Sequence, residues 1–387
     1  MIETLKRFNW ISFGSMIALI ALGTVAVWSA GNAREALFHR VWLSHLGGAA
    51  VGLVAYFALA ALDYRRVLDL FAKPAYAVSV VLLVAVLVFG AEIYGGKRWL
   101  WFFQPSELAK FCVIAFLAWL FGSPDADFRG RFGVRGAFAA AVAVGVPAVL
   151  ILLEPDLGTA LALVPAVVVM LLAAGVWRRG LLLLLAVGGI SAATLLGVVY
   201  EAEKPGVTAE KRELILSYVP LKDHQVRRVK TFLFPGSDPL GAGYTLKQAL
   251  IAIGSGGVTG KGLGKGEVNH LKYLPPSVSM NDFIFCVWAE ETGFNGSLAL
   301  LFLYGCLCLS GVWVAWRTGD GRGRLLALGI STLVFAHVYV NVAMSIGLVP
   351  ITGIPLPFVS AGRTFLVAVI AGLGLVQSIS LHREEIT

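Results

Sequence analysis

Residues 157–176 read LGTALALVPAVVVMLLAAGV, a run without a charged side chain. As an α-helix, a run of this length spans about 30 Å, the thickness of the hydrocarbon core of a bilayer. A longer run at 282–316, DFIFCVWAEETGFNGSLALLFLYGCLCLSGVWVAW, begins with Asp282 and carries Glu290 and Glu291 about two turns further on. Such runs recur along the chain and predict membrane-spanning helices.

The composition agrees with a membrane protein. Of 387 residues, 58% are hydrophobic and 14% are charged, whereas soluble domains have roughly 25% charged residues. The runs lack the short alternating pattern of an outer-membrane barrel. The formal charge of +8 comes from short Lys and Arg clusters between the runs, so it predicts membrane orientation and no nucleic-acid binding. The four cysteines lie in apolar runs without metal-ligand spacing, which is typical of small core residues.

We predict an all-α polytopic membrane protein with about ten transmembrane helices and one large extracytoplasmic loop. The spans are placed near 10–30, 43–63, 73–92, 105–122, 136–153, 157–176, 179–200, 282–316, 323–348 and 358–381. Ten spans bring both termini to one side. The segments on that side contain roughly fourteen Lys and Arg residues against four in the short loops opposite, which predicts that both termini are cytoplasmic.

The large loop covers 201–281, within a single domain of 1–387. Its first half is charged and amphipathic, which predicts short helices on the membrane or over the bundle. Its second half contains GSGGVTGKGLGKG at 254–266. This is not a phosphate-binding loop, because Lys261 is followed by Gly262 rather than Ser or Thr. The glycines instead predict tight turns and close backbone approach.

Ionisable residues within or beside the spans are the candidate functional groups, because a charge at the bilayer centre costs about 2.5–3.5 kcal/mol. The topology gathers several at the outer face: Lys97, Arg98, Glu154, Asp156, Arg228 and Asp282. Glu107 and Lys110 lie three residues apart after Pro105, in the first turn of a predicted helix, and can form an ion pair.

Each of these residues also has a structural interpretation. Asp282 could cap its helix, and Glu107 and Lys110 could be a buried structural pair. Trp99 suits the aromatic belt at the membrane interface. His337 has no metal-ligand spacing, and the residues predict no metal site.

Several motifs in order resemble the SEDS family (shape, elongation, division and sporulation proteins) over nearly the whole chain. They are KRW at 97–99, FQPSELAK at 103–110, EPDLGTAL at 154–161, RVKTFLFPGSDPLGAGY at 228–244, IAIGSGGVTGKG at 251–262, DFIFCVWAEETGFNG at 282–296 and NVAMSIGLVPITGIPLPFVS at 341–360. TGIPLPFVS and the ending LVQSISLHR are more similar to the RodA branch than to the FtsW branch.

The resemblance implies a peptidoglycan glycosyltransferase that polymerises lipid II at the outer face of the bacterial cytoplasmic (inner) membrane, in cell elongation and shape maintenance. Its implied partners are a class B penicillin-binding protein, which crosslinks the undecaprenyl-linked glycan, and other elongation-complex membrane proteins. The family's essential Asp corresponds to Asp282. Substrate-binding positions of the family motifs correspond to Lys97, Arg98, Trp99, Glu107, Lys110, Glu154, Asp156 and Arg228. No cofactor is assigned, and a divalent cation (Mg²⁺ or Mn²⁺) stays open.

Two segments depart from the family pattern. The chain has LPPSVSMNDFIF at 274–285 in place of LPE-x-HTDFIF, and SAGRTF at 360–365 in place of SYGGSS. We therefore consider Arg363 as a replacement cation for the leaving group. Two other functions fit the pattern: a flippase for the lipid-linked precursor, which needs charges at several depths of the membrane, and a non-catalytic scaffold that recruits the transpeptidase.

Overall fold

A computed structural model gives the fold of this chain. The residues it describes are 6–32, 38–93, 96–101, 103–122, 133–154, 156–176, 178–204, 206–218, 223–238, 241–267 and 273–383.

The described part of the chain is almost entirely helical. Its helices are α1 Trp10–Asn32, α2 Val41–Ala61, α3 Tyr64–Phe89, α4 Pro105–Phe121, α5 Gly133–Leu153, α6 Leu157–Ala174, α7 Arg178–Glu203, α8 Ala209–Ser217, α9 Asp223–Leu233, α10 Ala242–Ser255, α11 Pro276–Met280, α12 Ile284–Arg317, α13 Gly321–Ser345 and α14 Arg363–His382. Ten of these are long, and each overlaps one of the ten predicted spans. Nine are long and apolar enough to cross a membrane, and α4 is one residue shorter than that length.

The predicted start of the third span was wrong. It was placed at residue 73, but α3 begins at Tyr64, and Asp63 caps it by accepting a hydrogen bond from the Arg65 backbone N–H at 2.9 Å. The first turns carry charged side chains, so hydropathy alone did not include them. Pro74 lies inside the helix rather than at its start.

In the core of the bundle, α2 packs against α14, α12 packs against α1 and α13, and α13 packs against α4 and α6. Gly374 of α14 lies against the backbone of Tyr56 in α2, where an added Cβ would come within 2.6 Å of the carbonyl oxygen. Small residues of this kind let membrane helices approach closely. By contrast, α7 is exposed along nearly its whole length, as expected for an apolar helix that faces lipid.

The long segment between α7 and α12 holds the short helices α8 to α11. Its Gly-rich part docks on a break in α12 at Gly293, whose φ is +68°. The backbone N–H groups of Phe294 and Asn295 donate to Gly257 and Val258 at 2.9 and 3.1 Å. The glycines thus serve close backbone approach, as the sequence predicts.

A short hairpin was missed by the all-α prediction. β1 (Ala91–Ile93) pairs antiparallel with β2 (Gly96–Trp99) between α3 and α4. Because the long helices alternate in direction, this hairpin, the α5–α6 turn, the α7–α12 segment and the α13–α14 connection all lie at one end of the bundle.

Candidate active site

The β2 strand carries three of the predicted site residues. Lys97 is exposed, whereas Arg98 and Trp99 are partly buried. The Arg98 Nε donates to the backbone carbonyl of Glu154 at 3.3 Å. The hairpin is therefore tied to the α5–α6 turn, and Arg98 is held beside the acidic residues of that turn.

Asp156 caps helix α6 and connects it to α4. Its carboxylate accepts hydrogen bonds from the Thr159 backbone N–H at 3.1 Å and the Thr159 hydroxyl at 2.8 Å. The Gln104 Nε2, just before α4, donates to the same carboxylate at 3.0 Å. Asp156 thus has a structural role as a cap, and its charge is fixed at the end of the bundle.

Glu154 is fully buried at the end of α5. Among the described residues, neither of its carboxylate oxygens has a hydrogen-bond partner. Burial, together with the nearby Asp156 charge, raises the pKa of Glu154 to about 8, although Arg98 opposes the shift. Glu154 therefore holds its proton at neutral pH, and it contributes no negative charge to the site there.

The backbone around Asp282 is pinned by α13 and by the α13–α14 connection. The Asn341 Nδ2 donates to the carbonyl of Asp282 at 2.9 Å and to that of Ile354 at 2.7 Å. The Ser360 hydroxyl donates to the Asn281 carbonyl at 2.6 Å. These contacts fix the chain just before α12, so the Asp282 carboxylate is presented from a rigid position.

Two arginines lie within electrostatic reach of the Asp282 carboxylate. Burial raises the pKa of Asp282 to about 6, while Arg98 and Arg228 lower it and Asp156 raises it. Burial also lowers the pKa of the Arg228 guanidinium on α9, and the like charge of Arg98 acts in the same direction. The structure therefore brings together Arg98, Asp156, Arg228 and Asp282, four residues that lie far apart in the sequence.

Glu107 and Lys110 form the ion pair that their spacing predicts, with Lys110 Nζ 2.8 Å from Glu107 Oε2. Pro105 occupies the first turn of α4, where its missing N–H is no loss. Both side chains are buried, and Lys110 Nζ also lies 2.7 Å from Nε2 of His337. Sequence reasoning missed His337, because nothing in the sequence links positions 227 residues apart.

The Glu107 carboxylate lies close enough to Asp156 for their charges to repel. The ion pair therefore sits directly behind the acidic end of the site. The Lys110 side chain is fully buried beside Glu107, and its role in binding substrate stays a prediction.

Comparison with known proteins settles the family. The sequence profile described as cell cycle protein, covering FtsW, RodA and SpoVE, matches residues 9–385. The chain belongs to the FtsW/RodA/SpoVE family.

Similar members come from distant bacteria. The chain is 34% identical over 381 residues to peptidoglycan glycosyltransferase MrdB of Escherichia coli K12, covering 96% of this chain and 93% of that protein. It is 31% identical over 341 residues to stage V sporulation protein E of Bacillus subtilis, covering 86% and 85%.

Solved structures of the family have the same fold. One belongs to a peptidoglycan synthase complex that coordinates polymerization and crosslinking; it matches with a TM-score of 0.73 at 30% identity and covers 96% of this chain and 97% of that one. The rod shape determining protein RodA of Thermus thermophilus matches with a TM-score of 0.67 at 28% identity, covering 98% of both chains. The predicted SEDS membership is therefore confirmed.

The two departures from the family pattern occupy different places. LPPSVSMNDFIF forms the turn and the short helix α11 that lead to Asp282. In SAGRTF, Arg363 begins α14 and is exposed, with its side-chain carbons beside Gly48 of α2. Its predicted role as a leaving-group cation stays a prediction.

The two glutamates of α12 bind the Gly-rich loop and α1. Lys261 of the Gly-rich loop pairs with Glu290 at 2.9 Å, and the Ser29 hydroxyl donates to Glu291 at 2.5 Å. Both carboxylates thus hold the loop and α1 against the break in α12, which gives them a structural explanation outside the Asp282 site.

Proposed function

We propose that this family member is a RodA-type peptidoglycan glycosyltransferase, which polymerises lipid II into glycan strands during cell elongation. The proposal rests on one observation above all. The Asp282 carboxylate is rigidly placed at one end of a membrane bundle with Arg98 and Arg228 in electrostatic reach, and relatives of the chain are named peptidoglycan glycosyltransferases.

The reaction needs a base and a stabilised leaving group. The acceptor sugar hydroxyl attacks the anomeric carbon of the donor, a β-1,4 bond forms with inversion, and the bond to the lipid pyrophosphate breaks. Asp282 takes the proton of the hydroxyl. With a pKa of about 6, it is ionised at neutral pH yet more basic than an ordinary aspartate, as general-base catalysis favours.

Arginine side chains suit the leaving group. Guanidinium groups bind phosphate oxygens with strong charge-assisted hydrogen bonds, and a preorganised positive charge stabilises the charge that develops on the pyrophosphate. Arg98 and Arg228 would supply it. Glu154, protonated at neutral pH, would add no negative charge against them.

The position of the site in the cell follows from topology. Both described ends of the bundle lie on one side of ten alternating helices, and the Lys and Arg excess assigns that side to the cytoplasm. The site then faces the outer surface of the cytoplasmic membrane, where lipid II carries its sugars after transport.

A class B penicillin-binding protein is the proposed partner, because the structure matched at a TM-score of 0.73 belongs to a complex for polymerization and crosslinking. A divalent cation has weaker support. Among the described residues, no group of three or more His, Cys, Asp or Glu could hold a metal, and the Asp156 oxygens are occupied by Thr159 and Gln104. The described residues build no site for a resident metal, and a divalent cation stays a prediction.

The decisive experiment is polymerisation of labelled lipid II by the purified protein with its cognate transpeptidase. Wild type should make long glycan strands, Asp282→Ala should make none, and Glu210→Ala, an exposed acid on α8, should match wild type. An inactive wild type in an intact complex, with divalent cation present, would contradict the proposal. Transport of labelled lipid II across vesicles would then separate a flippase from a scaffold.

A further inference from the structure

The ammonium group of Lys110 is completely enclosed by protein. It lies 2.8 Å from Glu107 Oε2, 2.7 Å from His337 Nε2 and 4.7 Å from the centre of the Phe365 ring. A lysine ammonium has three N–H donors and no acceptor. A carboxylate, an imidazole nitrogen and an aromatic face match those three donors, so Lys110 is fully coordinated without water or ligand.

The hydrogen-bond pattern fixes the state of His337. Its Nδ1 lies 2.8 Å from the carbonyl oxygen of Leu333. A carbonyl can only accept, so Nδ1 carries the hydrogen, and Nε2 turns its lone pair towards Lys110. His337 is therefore a neutral acceptor, since an imidazolium would place two like charges 2.7 Å apart.

Phe365 completes the enclosure from the segment that departs from the family pattern. Its ring stacks on the His337 imidazole with centroids 4.5 Å apart and planes at 25°, and its face lies over the Lys110 ammonium. Phe365 is the last residue of SAGRTF, where the family pattern ends in Ser. The departure therefore supplies a third partner for a buried cation.

Among the described residues, Glu107 links Lys110 to the acidic end of the site. The Glu107 carboxylate pairs with the Lys110 ammonium at 2.8 Å and also lies within electrostatic reach of Asp156. If Lys110 shifted, two carboxylates would face each other in a buried place, and the end of α4 beside Gln104 and Asp156 would be pushed apart.

We propose that His337 and Phe365 are positioning residues, which hold Lys110 as the counter-ion of Glu107 and so keep the acidic end of the active site in register. This inference rests on the proposed glycosyltransferase function. It assigns His337 the role of hydrogen-bond acceptor and Phe365 the role of cation-binding face, and neither residue touches substrate.

Two substitutions at His337 separate an acceptor from a packing role. His337→Gln keeps a neutral acceptor near the place of Nε2, and His337→Phe keeps an aromatic ring but removes the acceptor. With labelled lipid II and the cognate transpeptidase, we expect His337→Gln to stay within about threefold of wild-type kcat. We expect His337→Phe to lose about tenfold or more, the factor for one hydrogen bond to a charged group, with KM nearly unchanged.

The reverse order, with Phe active and Gln impaired, would show that ring packing matters and would overturn the acceptor role. Equal activity of both variants would overturn it too. Phe365→Leu keeps an apolar side chain without the aromatic face, and it should lower kcat about threefold; unchanged kcat would remove Phe365 from the proposal. Thermal unfolding of each purified complex identifies a variant that has failed to fold.

A spectroscopic measurement tests the geometry without any activity. In ¹⁵N-histidine-labelled protein, the His337 signal, assigned by its loss in His337→Gln, should show the neutral tautomer with hydrogen on Nδ1. An imidazolium or the opposite tautomer would contradict the inference even if the protein polymerises lipid II. If the wild type makes no glycan, the expected tautomer still supports the enclosure of Lys110 while the proposed function fails.

Discussion

Replacing Asp282 by Asn should abolish polymerisation and make the protein more stable. Burial raises the pKa of Asp282 from 3.8 to about 6, although the positive charges of Arg98 and Arg228 lower it. At 1.36 kcal/mol for each pH unit between these two pKa values, ionisation of Asp282 destabilises the folded chain by about 3 kcal/mol relative to the unfolded chain. Because Asp282 is partly exposed, solvent reduces this figure, and we expect a gain of about 1–2 kcal/mol for Asn.

The stability gained by Asp282→Asn should increase as the pH rises. Well below pH 3.8, Asp282 is protonated in both the folded and the unfolded chain, so Asp282→Asn changes the stability little. Between the unfolded pKa of 3.8 and the folded pKa of about 6, the unfolded chain binds fewer protons, so wild-type stability falls as pH rises. Above pH 6 the difference stays constant. Thermal unfolding of wild type and Asp282→Asn between pH 4.5 and 8 measures it.

Glu210→Gln is the matched control, because it removes a carboxylate from an exposed position on α8. It should leave the unfolding temperature and the polymerisation rate unchanged at every pH. If Asp282→Asn brought no gain at pH 8, or the same gain at pH 4.5, burial of an ionised Asp282 would not be the cost that we infer. An active Asp282→Asn enzyme would remove Asp282 as the base.

Three further predictions concern the surroundings of the site. The pKa of Glu154 is raised from 4.5 to about 8, so the stability gained by Glu154→Gln should grow between pH 4.5 and 8 and then level off. Thermal unfolding measures this gain, and a gain that shrinks over this range would contradict the raised pKa. Lys110→Met leaves the buried Glu107 carboxylate unpaired and should lower the free energy of unfolding by about 3–5 kcal/mol. Adding Glu107→Gln should restore most of that stability, and equal unfolding temperatures of the single and double variants would argue against the pairing. Gly293→Ala places a Cβ 2.4 Å from the backbone N of Gly260 at a φ of +68°. This substitution should lower the free energy of unfolding by about 1–3 kcal/mol and speed proteolysis of the Gly-rich loop. Unchanged cleavage would show that the loop is held elsewhere.

The sequence predicted the spans well because each spanning helix must satisfy its own backbone and face lipid with apolar side chains. Both requirements are local, so they leave a local pattern. The start of α3 was misplaced because its first turns are polar, although they continue the same helix from Tyr64. The β1–β2 hairpin left no signal, since strands of three and four residues are too short for a period to be recognised.

The site was predictable in part. Glu107 and Lys110 share one helical turn, so their spacing alone predicts the ion pair. That Arg98, Arg228 and Asp282 meet at one end of the bundle followed from counting spans. Their common electrostatic environment and the enclosure of Lys110 by His337 and Phe365 depend on tertiary packing, which no local pattern records. Whether the predicted residues act on substrate as the family resemblance implies stays a prediction.

The burial of Lys110 also bears on the choice between an enzyme and a flippase. A transporter of a charged head group needs polar side chains that open onto a route at several depths. Lys110 lies in the second turn of α4, inside the bundle, but its three donors are already occupied by its own neighbours. A head group could reach it only by breaking a buried ion pair, which is strongly unfavourable. The charges at the end of the bundle are arranged differently. Burial raises the pKa of Asp282 and lowers that of Arg228, and the positive charge of Arg98 acts on both. That arrangement favours chemistry at one membrane face over passage through the core.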